Sequence, residues 1–386
     1  MWNFLTAGES HGKALTAIIE GLPAGLELDE QYINTALARR QAGYGRSERM
    51  KIEKDKVKIL SGLKNGLTIG SPVCLLIENK AFKEDIPKVT CPRPGHADLS
   101  GIIKYNQDDI IPVSERASAR ETAIRVAVGA VAAKFLEEFK IKIFSHVISI
   151  GAIKRDAYPT SPTRGKDDKV EYYLNLAQKA EQSSLRCVDP ETTKKMEAAI
   201  DNAKEKGDSL GGIFEVIALN MPVGLGTCMH WGKRLDALLA YAIMSIPGIK
   251  GVEIGTAYEN SALPGSQVHD EIFFNEESIY AFPAKSIYRI TNNAGGIEGG
   301  ISNGEPVIIR GAMKPIPTLA NPLQTIDLQT LKPSKAYKTR ADVCAVPAAG
   351  VVAEAMTAYI LASLICEKFG SDNLKEIKDN FIRWQI

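Results

Sequence analysis

Two histidines and a scatter of arginines are the residues in this sequence best suited to chemistry. His11 sits in Gly8-Glu9-Ser10-His11-Gly12, just ahead of an apolar stretch. His96 sits in Arg93-Pro94-Gly95-His96-Ala97-Asp98, a Pro-Gly turn with a carboxylate two residues on that could orient the ring. Histidine ordinarily titrates near neutrality, so both are candidate proton carriers, with an idle turn histidine as the alternative. His146, His230 and His269 fall in strand-like or loop contexts and read as structural. Arg39, Arg40, Arg46 and Arg49 flank Gly43-Tyr44-Gly45. Guanidinium forks grip phosphate and carboxylate through paired hydrogen bonds. Cations also suit a helix C-terminus, but Arg46 and Arg49 run past that end. Arg116 and Arg120 are four apart and share a helical face. Arg120 in a first turn opposes the dipole unless an anion or Glu121 offsets it. Arg340 and Asp342 precede the apolar run from Pro347, and the Lys314–Thr318 turn could face the same pocket. Asp342 as a simple helix cap is the alternative.

Asn292–Gly304 holds Gly295, Gly296, Gly299, Gly300 and Gly304. Such a run suits tight turns and close approach of bare backbone, and its Asn and Ser side chains could face a ligand. It matches neither GxGxxG nor a Walker A loop.

These residues need elements to position them. Asp29 caps a helix through Ala42, with Gly43 beyond its end. Further helices are expected over Ser118–Phe139, from Asp189-Pro190 to Gly207, over Lys233–Ile246 up to Pro247-Gly248, and over Pro347–Lys368. Strands are expected at Ala14–Ile19, Val57–Leu60, Val73–Ile77, Ser145–Ile150, Ile213–Leu219, Val252–Ala257 and Val307–Ile309. No regular strand-helix alternation links them. That points to α+β with largely antiparallel sheets covering a buried helical layer, in one domain over 1–386. Ala157–Lys169 reads as an exposed surface insertion.

The 386 residues are 45% hydrophobic, with 47 basic and 46 acidic side chains. That balance gives no nucleic-acid footprint, so any anion site must come from local clustering. No stretch approaches the roughly 18 uninterrupted apolar residues of a membrane span. The N-terminus lacks a signal-peptide pattern. Cys74, Cys91, Cys187, Cys228, Cys344 and Cys366 show no metal-ligand spacing and read as buried thiols of a reducing cytoplasm.

Taken together, GESHG, RRQAGYGRSERM, RPGHAD, RASARETAIRVAVGAVA, MSIPGIKGVEIG, NNAGGIEGGISNGEP, KPIPT and KTRADVCAVPAAGVVAEAM resemble the chorismate synthase family over essentially the whole chain. The resemblance implies a β-α-β sandwich. It also implies a lyase reaction, the anti-1,4-elimination of phosphate from 5-enolpyruvylshikimate 3-phosphate to give chorismate. The reaction needs reduced FMN without net redox change and is the last common step of the shikimate pathway to aromatic amino acids. Implied catalytic residues are His11 at the substrate phosphate, His96 near the flavin, and Asp342 near flavin N5. Ser10, Arg40, Arg46, Arg49, Arg120 and Arg340 would hold substrate. Arg116, Ala117, Ser118, Pro247, Gly248, Gly299, Lys314, Pro315, Ile316, Pro317, Thr318 and Arg340 would hold FMN. Many relatives carry Asn-Ala or Gln-Ala at Pro247-Gly248, so binding there must be through backbone. Some members reduce their own flavin, in which case Arg40 and Arg46 would take NADPH. A cytoplasmic homotetramer is the family's usual form. The chain is expected to be somewhat longer than compact bacterial members, with extra residues near Ala157–Lys169.

Overall fold

The computed structural model describes residues 2–46, 54–155, 166–274 and 287–385. Two antiparallel sheets carry most of the strand structure. The first holds β1 (Asn3–Ala7), β2 (Ala14–Glu20), β3 (Val57–Ser61) and β4 (Val73–Glu78), in the order β1-β2-β4-β3. The second holds β5 (Lys142–Ile150), β6 (Ile153–Lys154), β7 (Gly212–Leu219), β8 (Ile249–Ile254) and β9 (Val307–Met313), in the order β8-β9-β7-β5-β6.

In β2 and β4 alternate residues are buried: Leu15, Ala17 and Ile19, then Val73, Leu75 and Ile77. The period of two turns one sheet face to the core and the other outward. β5 and β7 instead read as nearly continuous buried runs, because the second sheet is covered on both faces. Phe214 and Val216 of β7 join the main core, whereas Ile217 and Leu219 pack with Tyr173 and Leu176.

The helices are α1 (Glu30–Gln41), α2 (Asp98–Tyr105), α3 (Ile111–Arg116), α4 (Thr122–Glu137), α5 (Lys166–Gln182), α6 (Pro190–Glu205), α7 (Leu235–Met244), α8 (Val346–Phe369) and α9 (Leu374–Gln385). Helix α4 packs on the first sheet, α8 packs on the second, and the two helices pack on each other. They meet at small residues. A Cβ added to Gly129 would lie 2.2 Å from the Cβ of Ala355, so the backbones approach as closely as glycine permits. Helix α8 is apolar around most of its circumference because it is buried on most sides. It is long and apolar enough to cross a membrane, yet 94% of its apolar window is buried inside the protein.

The α+β class and the expected helices hold, with shifted ends. Asp29 and Asp189 cap α1 and α6 through Tyr32 N–H and Thr192 N–H. Ser118 caps a short 3-10 turn over Ala119–Glu121, so the long helix starts at Thr122 rather than Ser118. Strand β8 begins at Ile249 and stops at Ile254, because Gly255 turns the chain with φ 63° into a short helix from Ala257. Strand β1, which pairs with β2 from Asn3↔Glu20 to Ala7↔Thr16, was not legible in the sequence. Helices α2, α3, α5 and α9 were not foreseen either. Lys166–Lys169 open α5 instead of continuing a loop, while 156–165 lie outside the described residues. The thiols are not uniformly buried: Cys187, Cys344 and Cys366 are, Cys74 and Cys91 are half-buried, and Cys228 is exposed.

Candidate active site

A cavity of about 1040 Å³ opens where the loops of both chain halves converge. Ser10 and His11 enter it from the turn between β1 and β2. Arg40 comes from the end of α1, and Arg46 from the segment beyond it. His96 comes from the turn before α2, while Ala117, Ser118 and Arg120 come from the junction of α3 and α4. Pro247 and Gly248 follow α7, Lys314–Thr318 follows β9, and Arg340 and Asp342 lead into α8. Strand and helix ends place all of them, so a rigid frame holds a wall assembled from loops.

The wall is strongly cationic. Eight Lys or Arg residues line it against two carboxylates, Glu115 and Asp342. Each carboxylate already faces a potential cation. Arg46 Nη1 lies 3.1 Å from Asp342 Oδ2, and His11 Nδ1 lies 2.9 Å from Glu115 Oε1. Arg40 is buried; its Nε donates to Thr122 Oγ1 at 3.0 Å and its Nη2 to the Ala119 carbonyl at 2.8 Å. Its buried Nη1 has no hydrogen-bond partner and sits 4.0 Å from Asp55 Oδ2. Burial, then the nearby Arg46, pushes the Arg40 pKa down to about 9. At neutral pH the group stays charged, and an added anion would relieve the crowding.

Arg120 has its own answer to the helix dipole. It pairs with buried Asp55 at 2.6 Å and donates from Nε to Asn79 Oδ1 at 3.0 Å. Glu121 is turned elsewhere, to Arg125 and Thr6. Asn79 in turn donates to the carbonyls of Glu9 and Gly12, which ties Arg120 to the His11 turn.

His96 is held by Asp98, with Nδ1 2.5 Å from Oδ1. Arg93 reinforces the clasp, donating from its backbone N–H and from Nε to Asp98 Oδ2 at 3.0 and 2.8 Å. Burial alone would raise the Asp98 pKa. The hydrogen bonds from His96 and Arg93 outweigh it and hold the carboxyl well below the usual range. An ionised carboxylate only accepts, so Nδ1 carries hydrogen and Nε2 is left on the other edge of the ring.

Two sequence-derived candidates do not reach the cavity wall, and a third, Arg49, lies outside the described residues. Arg116 turns back to β1, donating to Thr6 Oγ1 at 3.0 Å. Gly299 lies exposed in a turn between two short strands, where an added Cβ would meet only Cys228 Cβ at 3.9 Å.

Two glycines of the run lie against the protein's own backbone. A Cβ on Gly295 would come within 2.4 Å of Gly255 N, and one on Gly296 within 2.4 Å of the Pro306 carbonyl. Asn292, Asn293 and Ser302 direct their polar groups to Pro306, Val268 and Pro222 carbonyls. Sequence reasoning also missed Asn79, Asp55 and Glu115. Their partners lie tens of residues away, and no local spacing signals them. His146, by contrast, is fully buried against Glu215 at 3.0 Å, in keeping with a structural role.

The fold and the cationic hollow define an enzyme that acts on a small molecule. The chorismate synthase family model matches residues 2–366. The chorismate synthase of Geobacter metallireducens is 51% identical over 394 residues, covering 99% of this chain and 98% of that protein. That of Aquifex aeolicus is 53% identical over 396 residues, covering 98% and 96%. A crystal structure of a chorismate synthase superposes with a TM-score of 0.80 at 45% identity, covering 99% of this chain and 97% of the other. The chain belongs to the chorismate synthase family. Its activity is that of the family, a carbon–oxygen lyase reaction in the shikimate pathway to aromatic amino acids. These relatives match end to end, so the extra length expected of the chain is not found against them.

Proposed function

We propose that the cavity binds 5-enolpyruvylshikimate 3-phosphate against reduced FMN and drives the 1,4-elimination with the residues that line it. One observation carries this reading: His11, His96, Asp342 and an excess of cations share a single hollow. Substrate phosphate and two carboxylates match Arg40, Arg46, Arg120 and Arg340, with Arg49 as a further candidate from the sequence. A flat ring system fits beside Ile246–Ile249 and Pro315–Pro317, which give the otherwise charged wall an apolar side. The volume is at the upper end for one small ligand and accommodates two in contact. When bound, reduced flavin would supply electron density that assists C–O cleavage.

The protein's part is positional and electrostatic. Arg40 and Arg46 meet the charge that develops on the departing phosphate. His11 donates a proton to that phosphate as the C–O bond breaks and the electron pair leaves with oxygen. Asp342 assists removal of the C6 proton. His96, locked by Asp98, fixes the protonation of the ring beside it. Lys314–Thr318, Ala117, Ser118 and the Pro247-Gly248 backbone hold the cofactor, while Ser10 adds a polar contact near the substrate. Arg116 and Gly299 remain candidates only if the cofactor reaches past this wall. NADPH as internal reductant would use Arg40 and Arg46.

The chain would act as one domain, with two antiparallel sheets over a helical layer, because the site draws on both halves. A cytoplasmic homotetramer completes the proposal. In support, the described cysteines are all free. Anaerobic phosphate release with photoreduced FMN is the test. Turnover should need reduced flavin and should fall at least about tenfold in His96→Ala and Asp342→Ala, or about 1.4 kcal/mol on the barrier. Release without flavin, or variants as fast as the parent, would remove the proposal.

A further inference from the structure

Glu115 stands beside the catalytic candidates without a part in the roles above, and both its side chain and its main chain bond the Ser10-His11 turn. Its carboxylate takes the His11 backbone N–H at 2.5 Å and lies 2.9 and 3.1 Å from His11 Nδ1 through its two oxygens. Its backbone carbonyl accepts from Ser10 N–H at 3.1 Å. Main chain and side chain of one residue therefore clasp the Ser10-His11 turn, although 104 residues separate Glu115 from His11.

We infer that Glu115 is the positioning residue for His11: it fixes the imidazole tautomer so that Nε2 is the atom offered to the departing phosphate. The chemistry is simple. An ionised carboxylate can only accept, so the hydrogen on the Glu115 side belongs to Nδ1. Nε2, on the opposite edge of a ring that lines the cavity, is then the basic nitrogen, which takes up a proton before cleavage and passes it, from the imidazolium, to the departing phosphate oxygen. The backbone bond fixes the turn and the ring bonds fix its rotation, so position and tautomer are set together. Orienting carboxylates of this kind act through the histidine they hold and touch no substrate themselves. The inference rests on the proposed role of His11 at the phosphate.

The test uses the full chain labelled with 15N-histidine, which gives five ring pairs, with His11→Ala to assign the His11 signals. In the parent, His11 should carry hydrogen on Nδ1. Glu115→Gln should keep that tautomer, because the amide oxygen still accepts, whereas Glu115→Ala should lose the preference. In phosphate release, Glu115→Ala should lower kcat by about tenfold or more with little change in KM, and Glu115→Gln should recover part of the loss. In a His11→Ala background, Glu115→Ala should cost nothing further, since the two act as a unit. Should Glu115→Ala fail to fold, Glu115→Met fills the space without an acceptor and carries the same readouts. An unchanged His11 tautomer in the variant without an acceptor overturns the inference, as does a full further loss of kcat in the His11→Ala background. If the parent releases no phosphate with reduced flavin, the reaction proposal fails. The tautomer measurement still decides the role of Glu115.

Discussion

Arg46 and Asp342 meet on the cavity wall, guanidinium Nη1 to carboxylate Oδ2 at 3.1 Å, one from the segment beyond α1 and the other from the lead into α8. The pair couples a substrate-binding candidate to a proton-transfer candidate. Arg46 is the counter-cation of Asp342. A bound phosphate would compete for the same guanidinium.

Arg46→Ala should therefore weaken substrate binding by at least about tenfold, the 1.4 kcal/mol of one lost charge-assisted contact. Arg46→Lys should recover little, because a point charge cannot replace the planar fork. Calorimetric titration of the flavin-free protein with substrate reads both. Equal affinities for parent and Arg46→Ala would show that the phosphate sits elsewhere.

The His96–Asp98–Arg93 clasp makes a second prediction. Asp98→Ala removes the carboxylate on which His96 Nδ1 and the Arg93 guanidinium both converge. The imidazole should lose its fixed tautomer, and kcat should fall by about 10–100-fold, the usual cost of removing an orienting partner. Substrate KM should move far less. If KM alone changed, Asp98 would be a binding residue instead of an anchor for His96.

Much of this site could be read in the sequence, and the unread part has a physical pattern. His11, His96, Arg40 and Asp342 announce themselves by residue type beside turns and helix ends, where local rules operate. The Asp98 partner of His96 was also readable, being two residues away. Asp55, Asn79 and Glu115 were not, because a carboxylate or amide gains its role from a partner across the fold. The glycine run was read in part: composition signals close approach but not to what, and at Gly295 and Gly296 the neighbour is the protein's own backbone at Gly255 and Pro306. Strand β1 was missed because its exposed, edge position leaves it no long apolar run, with burial alternating only between exposed and half-buried.

A buried charge row on the second sheet gives a prediction about pH. Glu215 is buried against His146 at 3.0 Å and Arg310 at 2.8 Å. Burial would raise its pKa, but hydrogen bonding and charge from His146 and Arg310 overcome it and bring it down to about 2. A folded-state pKa below the unfolded value means a contribution that is complete above the unfolded pKa of about 4.3 and is lost as pH falls toward the folded value. Glu215→Gln should thus destabilise by about 3 kcal/mol near pH 6, as expected for breaking a buried pair. The gap from the parent should narrow between pH 4.5 and pH 2, the window set by the two pKa values. Urea midpoints across that range measure it, and a gap independent of pH would assign the loss to packing alone.

The crossing of α4 and α8 makes the sharpest stability prediction, because it sets the spacing of the two sheets. An alanine at 129 would put its Cβ 2.2 Å from the Cβ of Ala355 and 2.4 Å from its Cα. Neither neighbour is a flexible chain end that can swing aside. The helices must separate, and the residues packed around the crossing must follow. In an exposed helix Gly→Ala gains about 1 kcal/mol from propensity. Here overpacking of about 1–3 kcal/mol or more should reverse the sign. Gly129→Ala should lower the thermal midpoint, and Gly129→Val should lower it further or prevent folding. The cavity is built on the ends of the same two helices, so Gly129→Ala should also lower kcat without touching any lining residue. A midpoint raised by Gly129→Ala would mean that the helices have room to spare at this crossing, and the close approach would not be what holds the two sheets together.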